Sequence, residues 1–174
     1  MLFRSIFNGN GYDLSNQEML TESGVWRIDS GVEAIHRLSA EKNIKLFEDM
    51  KVMSKDESLA REEILFEHYV GTVEIEAGTF IDMVNQNVIP SVKEAGVGPL
   101  KDLYNAVDTL KAALKEMHDT EEAYEKAKLA RVLRLETMPE CRKFCDAAEE
   151  VVPESMWTLA TYKELLFLDS HNTP

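Results

Sequence analysis

The side chains with the clearest potential for chemistry in this sequence are a glutamate and a histidine one helical turn apart. Glu33 and His36 have the Glu-x-x-His spacing with which helical bundles hold a pair of iron or manganese ions. Such a centre takes one motif from each of two helices, yet Leu65, Lys115 and Leu168 stand three residues before the other histidines. The motif is therefore incomplete, and the pattern favours a surface or helix-capping role for His36.

A second candidate is the pair of cysteines, Cys141 and Cys145. Four residues apart in a helical pattern, they share one face, but their Cβ atoms are too distant for an unstrained disulfide. Zinc in a structural site takes four ligands, and no further cysteine or histidine nearby completes the set. We expect both cysteines to be reduced, small apolar groups, with a two-thiolate metal site as the weaker alternative.

Other patterns that can indicate catalysis are incomplete. Residues 62–76 carry five glutamates, which helical spacing predicts to form a solvated acidic face: Glu62, Glu63, Glu67, Glu74 and Glu76. The glycine loop "NGNGY", residues 8–12, lacks both a long preceding strand and a following Gly-Lys-Ser, so it indicates tight turns rather than a phosphate site. Gly-x-Ser-x-Gly is absent from the sequence. The residues therefore assign no catalytic, cofactor-binding or metal-binding side chain.

Composition limits the partners of the chain. Its 174 residues suffice for one domain with a core, and its net charge of −13 opposes binding to nucleic acid or to anionic lipid. We therefore expect neither a nucleic acid nor a membrane as partner. The apolar runs are short, which predicts a cytoplasmic protein, or an organellar one if the source is a eukaryotic alga.

Capping patterns divide the first third of the chain into short helices. A serine followed three residues later by glutamate satisfies the free amides of a first helical turn, and it occurs at Ser15, Ser30 and Ser54. Gly24 can end the first helix in a left-handed conformation. Two short helices are then expected over residues 31–51.

One long amphipathic helix is predicted from Ser54 to about Ala95. Its apolar stripe comprises Leu59, Leu65, Tyr69, Val73, Ala77, Phe80, Val84, Val88 and Val92. The alternating stretch "TVEIEAG", residues 72–78, resembles a strand, but it would have no partner strand, so we assign it to the helix. Gly71 and Gly78 disfavour a helix unless a close helix contact requires them, and Pro90 predicts a kink.

Two further long helices complete the predicted bundle. "GVGP", residues 96–99, ends the long helix, and residues 100–117 then carry a stripe of Leu103, Val107, Leu110 and Leu114. Asp119 or Thr120 is expected to cap a last helix that reaches about Val152 and is kinked or divided at Pro139. Short loops predict antiparallel neighbours, and the aromatic tail should pack back onto the bundle.

Four segments of the sequence resemble the C-terminal region of type III glutamine synthetase, in the same order and spacing. They are "IFNGNGY" from residue 6, "EAIHRLSAEKNIKLFED" from residue 33, "AREEILFEHYVGTVEIEAGTFIDMVNQNVIPSV" from residue 60 and "MWTLATYKELLF" from residue 156. The resemblance spans residues 6–167 and is strongest over residues 61–92. The tail departs from the family pattern at Thr158 and Ala160, where prolines are usual.

The resemblance implies an architecture. Residues 1–12 would be a short extended remnant of the catalytic β-sheet domain, and residues 13–174 the helical C-terminal domain. The fold class is then all-α, a bundle of long antiparallel helices preceded by short ones. Gly71 and Gly78 would serve helix packing, Pro90 would set a bend, and Trp157 with Tyr162 would anchor the tail.

The resemblance also implies a function for the parent protein. That family joins ammonia to glutamate with ATP, in stacked hexameric rings, using Mg²⁺ or Mn²⁺ held by carboxylates upstream of this chain. The chain itself would contain no catalytic, metal or nucleotide site and would be inactive alone. Its expected partners are the missing catalytic domain of the same polypeptide and neighbouring subunits of a ring-shaped homo-oligomer.

The alternative is a stand-alone helical module, derived from that domain and used for interaction or oligomerisation. Such a module should present a polar surface where the catalytic body would have packed. The sequence instead offers apolar residues for such a contact: Leu2, Phe3, Ile6, Phe7, Trp26 and Trp157.

Overall fold

The computed structural model describes residues 9–167, with the side chains of residues 162 and 163 left out. Over this range the fold is all-α, as the sequence predicts. The helices are α1 (Leu14–Glu22), α2 (Gly31–His36), α3 (Glu41–Asp49), α4 (Lys55–Met83), α5 (Ile89–Ala95), α6 (Leu100–Asp119), α7 (Ala123–Val132), α8 (Met138–Glu149) and α9 (Tyr162–Leu166). The extended remnant predicted at the N-terminus lies mostly outside the described residues.

Two pairs of these helices are joined by a wider turn instead of a loop. A π-helical turn, Val84–Val88, connects α4 to α5, and a second one, Leu133–Thr137, connects α7 to α8. Each π turn ends two residues before a proline, Pro90 or Pro139. Because proline clashes with the carbonyl four residues before it and lacks an N–H, a widened turn lets the chain remain helical past it. The predicted single helix over residues 54–95 is thus confirmed, with "TVEIEAG" inside α4.

The long helices form an up-down-up bundle. Lys93 of α5 lies 5.4 Å from the ring of Tyr104 near the start of α6, while His118 at the end of α6 pairs with Glu74 of α4. α6 therefore runs antiparallel to α4 and α5. On the far side Cys141 of α8 contacts the Ala106 carbonyl of α6, so the chain reverses again.

One hydrophobic core holds the three long segments together. α6 contributes buried side chains from its whole length, including Leu103, Val107, Leu110 and Met117. They pack in one cluster with buried side chains between Val73 and Val92 and between Leu133 and Val152. A second, smaller cluster of Val32, Phe66 and Ala127 attaches α2 to the bundle.

The structure confirms two of the three predicted serine caps and moves two helix starts. Ser30 caps α2, and Ser54 forms a complete capping box with Glu57. Asp13, not Ser15, caps α1, because its carboxylate accepts the Ser15 amide. Similarly Glu122, rather than Asp119 or Thr120, caps α7. In both cases several neighbouring side chains could cap the helix, and the sequence does not show which of them does.

The predicted apolar stripe of α4 is wrong in its first turns. Leu59 and Leu65 are exposed, and the buried face carries Ser58, Glu62 and Phe66 instead. Two of those three side chains are polar, so hydrophobicity does not mark the face. From Val73 onward the buried face follows the predicted stripe at Val73, Ala77, Val84, Val88 and Val92. The exception is the predicted Phe80, which is only partly buried while its neighbour Ile81 is buried.

The close helix contact predicted at Gly71 and Gly78 is not found. A Cβ built on either glycine meets no heavy atom within 4 Å among the described residues. Three other glycines have a conformational reason, since Gly24, Gly96 and Gly98 have φ of 79°, 66° and 109°. Gly24 follows α1 as predicted.

Replacing Gly78 with alanine should therefore stabilise the fold, by about 0.5–1 kcal/mol, because alanine loses less backbone entropy in a helix and finds open space. Urea unfolding followed by circular dichroism measures the change in the free energy of unfolding. Gly96→Ala is the matched control and should destabilise, since its φ of 66° strains a residue with a Cβ. A loss of stability in Gly78→Ala would contradict this prediction and would indicate that a close helix contact does exist at Gly78.

Candidate interaction surface

A groove of about 820 Å³ lies between α4 and α8. Both π turns border it, and the chain segment after α8 closes one end. The lining is mostly apolar and includes Phe80, Met83, Val88, Met138, Trp157 and Leu159. A groove of this lining suits apolar side chains of a ligand or of another polypeptide.

Both arginines that line the groove are already paired with carboxylates. The Nη2 atom of Arg134 lies 3.0 Å from Oε1 of Glu76, and Nε of Arg142 lies 3.3 Å from Oδ1 of Asp146. Binding a phosphate at either arginine would have to compete with a carboxylate of the chain itself. The chemistry of the groove therefore favours apolar contacts over an anionic metabolite.

The segment after α8 packs back onto the bundle, as the sequence predicts. Trp157 and Leu159 are partly buried against the main core. Between them, the hydroxyl of Thr158 lies 3.2 Å from Nδ2 of Asn87 and 3.4 Å from the hydroxyl of Ser91. The predicted anchoring by Tyr162 concerns a side chain outside the described residues.

Both cysteines are free thiols and share the α8 face that turns toward the core. Cys141 is buried and its Sγ donates a hydrogen bond to the Ala106 carbonyl at 3.7 Å. Burial raises the pKa of Cys145 to about 11, with a smaller contribution from the neighbouring Asp146 carboxylate. Burial likewise raises the pKa of Cys141. At neutral pH both stay protonated, the form that is a poor nucleophile and a poor metal ligand.

The Glu-x-x-His motif is divided between two different contacts. Glu33 pairs with Arg37 at 3.0 Å, whereas Nδ1 of His36 lies 2.7 Å from Oε1 of Glu62 on α4. The His36 ring also stacks on Tyr124 of α7, with ring centroids 4.1 Å apart. His36 on α2 thus contacts both α4 and α7. Its side chain is partly exposed, as a surface role predicts, but it also joins helices, which the sequence did not predict.

The predicted solvated acidic face is correct for Glu63 and Glu67, which are exposed. It is wrong for Glu62, which is only 8% exposed. Glu74 and Glu76 reach other helices, where Glu74 pairs with His118 at 3.1 Å and Glu76 with Arg134. Sequence spacing alone could not find these pairs because each partner lies more than 25 residues away.

Residues 9–167 bring together no group of three or more His, Cys, Asp or Glu side chains that could hold a metal ion. No helix within the same range has the length and apolarity needed to cross a bilayer. The features that remain are surfaces for contact, namely the groove and a set of exposed aromatic side chains near the N-terminus that includes Tyr12 and Trp26.

Comparison with known sequences identifies the source of this architecture. Residues 3–111 match the sequence model of the glutamine synthetase C-terminal domain. The chain belongs to that family. The helices from α1 to the middle of α6 are therefore the family's domain, and the resemblance stated from the four segments is confirmed.

Two named relatives extend the match over nearly the whole chain. The type-3 glutamine synthetase of Dictyostelium discoideum is 29% identical over 198 aligned residues, which cover 95% of this chain and 27% of the relative. The glutamine synthetase of Butyrivibrio fibrisolvens is 28% identical over 193 residues, covering 94% of this chain and 28% of the relative. The chain thus spans about a quarter of the length of the relatives it matches.

The folded unit is larger than the matched family segment. The match ends at residue 111, inside α6, whereas the core continues through Met117, Leu133, Cys141 and Ala148. These residues cover the faces of α4 and α6 that the matched segment would otherwise expose. Residues 112–157 are therefore part of one bundle with the matched segment.

A truncated chain of residues 1–111 should consequently lose cooperative unfolding, because the groups that cover Leu103 and Val73 are removed. Thermal melts followed by circular dichroism test this. A control that ends at residue 160 keeps every member of the main core and should melt as the full chain does. A sharp melt of the 1–111 piece at the temperature of the full chain would contradict the prediction.

The thiol of Cys145 should react slowly. With its pKa raised from 9.0 to about 11, its thiolate fraction at pH 8 is roughly 100-fold lower, so alkylation by iodoacetamide should slow by about that factor. Mass spectrometry of a Cys141→Ser variant, native and in guanidinium, gives the two rates. Equal rates in the two states would overturn the expectation.

Proposed function

We propose that this chain is the helical C-terminal part of an ATP-dependent glutamate–ammonia ligase, and that it serves the assembly of that enzyme without making glutamine by itself. The observation that carries the proposal is the match to the C-terminal domain family, together with relatives about four times as long as the aligned part. The nucleotide, the Mg²⁺ or Mn²⁺ ions and the substrates would bind the part of the enzyme that precedes this domain.

The polar contacts of the chain support a structural role. His36 with Glu62, His118 with Glu74, and Arg134 with Glu76 each join α4 to another element. The imidazoles of His36 and His118 are therefore engaged in contacts between helices.

The proposal also includes the partners of the domain and its location in the cell. Its partners would be the catalytic domain of the same polypeptide and the neighbouring subunits of a ring-shaped homo-oligomer, in the cytoplasm. The apolar groove and the exposed aromatic residues near α1 are consistent with contacts of that kind, because large exposed apolar patches mark interaction sites.

A stand-alone helical interaction module is the second candidate. The observation that favours it is the bundle's own core, which buries Leu103, Leu110 and Leu133 with residues of this chain alone. Exposed Tyr12 and Trp26 weigh against it, since such a module should be polar where the catalytic body would pack.

The experiment compares three proteins: this chain alone, the Dictyostelium discoideum enzyme without its matched segment, and that enzyme with this chain fused in place of the segment. Glutamine formation from glutamate, ammonia and ATP is measured together with the native mass. We expect no glutamine from the chain alone, loss of assembly and activity in the truncated enzyme, and recovery of both in the fusion. Glutamine synthesis by the chain alone, or a fully active truncated enzyme, would overturn the proposal.

A further inference from the structure

The groove between α4 and α8 has the size of a site for a small organic molecule. Its volume of about 820 Å³ lies within the roughly 300–1,000 Å³ that such pockets typically have. Residues of α4, of α8 and of the segment after α8 contribute to the lining, all from this one chain. The groove can therefore hold a compact ligand without residues from a partner chain.

The apolar part of the lining determines which ligand body fits. Phe80 and Trp157 offer aromatic rings, and Met83 and Met138 offer flexible thioether side chains. Methionine adapts its shape to different apolar groups, and aromatic rings attract positive charge as well as apolar surface. An apolar body, preferably an aromatic one, suits this lining best.

The charged part of the lining has one carboxylate more than its arginines can pair. Arg134 pairs with Glu76 and Arg142 pairs with Asp146. The remaining charged residue of the lining is Glu149, which is partly exposed. Within the described part of the chain its carboxylate has no ion pair or hydrogen bond. A positive charge on a ligand can thus pair with Glu149 without displacing a contact of the fold.

The position of Glu149 at the end of a helix makes a bound cation more favourable still. The C-terminus of a helix carries a partial negative charge, which favours cations and disfavours carboxylates. Glu149 is the last residue of α8, Glu150 follows it as the cap, and the last turn contains no basic residue. A cation bound there would be attracted by the Glu149 carboxylate and by the helix end together.

An anion with the same apolar body is the less favoured ligand. It would have to displace a carboxylate from Arg134 or Arg142, and it would meet the unpaired Glu149. The net charge of −13 also raises the local concentration of cations and lowers that of anions.

We propose that the groove binds a small organic cation, an apolar and preferably aromatic body that carries one ammonium group, with Glu149 as its counter-ion. The inference goes beyond the proposed function and does not depend on it, because every residue that it uses belongs to this chain.

The test compares three probes that share one body and differ in charge: phenylbutylammonium, phenylbutanol and phenylbutanoate. The protein is the full chain with Trp26→Phe, so that tryptophan fluorescence reports on Trp157 alone. Trp26 is 74% exposed and belongs to neither core cluster. We expect a saturable change in emission, with the ammonium binding several-fold more tightly than the alcohol and the carboxylate binding more weakly than the alcohol. Added salt should reduce these differences, because it screens exposed charges.

Two substitutions that remove the same charge distinguish Glu149 from the general field of the chain. Glu149→Gln should lower the affinity for the ammonium to about that of the alcohol. Glu150→Gln is the matched control, because Glu150 does not line the groove, and it should keep most of the ammonium's advantage. Thermal melts followed by circular dichroism establish that both variants are folded.

Several results would overturn the inference. The absence of a saturable change with every probe would mean that the groove does not hold a ligand with this body. Equal affinities of the three probes, or tighter binding of the carboxylate, would contradict the selection of a cation. An equal loss of affinity in both variants would assign the preference to the net charge of the chain instead of Glu149. None of these results bears on the proposed function, which the fusion experiment tests through glutamine formation.

Discussion

Burial of one apolar stripe of α6 against two neighbouring helical segments is the constraint on which the bundle depends. Leu103 and Leu110 are completely enclosed, and no single neighbouring helix could enclose them. The segment from α4 to α5 and the segment from α7 to α8 both pack on this stripe, and α4 also packs extensively against α7. Since α6 runs opposite to both, the two outer segments end up parallel, and the groove between α4 and α8 is the gap they leave. The shape of the candidate contact surface therefore follows from core packing.

Helix α4 also makes polar contacts that attach other parts of the bundle to it. Three of its glutamates bind cations or imidazoles from three other elements, at His36, His118 and Arg134. Ion pairs on a surface contribute little to stability, so the two exposed pairs mainly orient their partners. Glu62 differs because it is almost enclosed, and removing His36 would leave a buried carboxylate with no partner at that oxygen. The attachment of α2 is thus more sensitive to a single side chain than the rest of the bundle.

Much of this fold could be predicted from the sequence, for identifiable reasons. Leu103, Val107 and Leu110 recur at helical spacing, and Ser54 with Glu57 marks a helix start through local hydrogen bonds. The predictions that failed concern residues whose burial depends on distant parts of the chain. Ser58 and Glu62 are buried although they are polar, because residues between α2 and α3 pack against α4. The exposed Leu59 and Leu65 are the more apolar choice locally. No catalytic pattern was found in the residues, and the surfaces identified instead depend on tertiary placement.

The two π turns have a consequence for how this domain can vary between species. A π turn holds one residue more than an α-helical turn, so deleting one codon there and replacing the proline that follows can leave an unbroken helix. The same deletion in α6 would rotate half of a core face by about 100°. Both turns border the groove, so such a deletion would reshape the groove wall while the α6 core kept its register. Length changes among related proteins should accordingly concentrate at Val84–Val88 and Leu133–Thr137, which makes the groove the part of the domain most open to divergence.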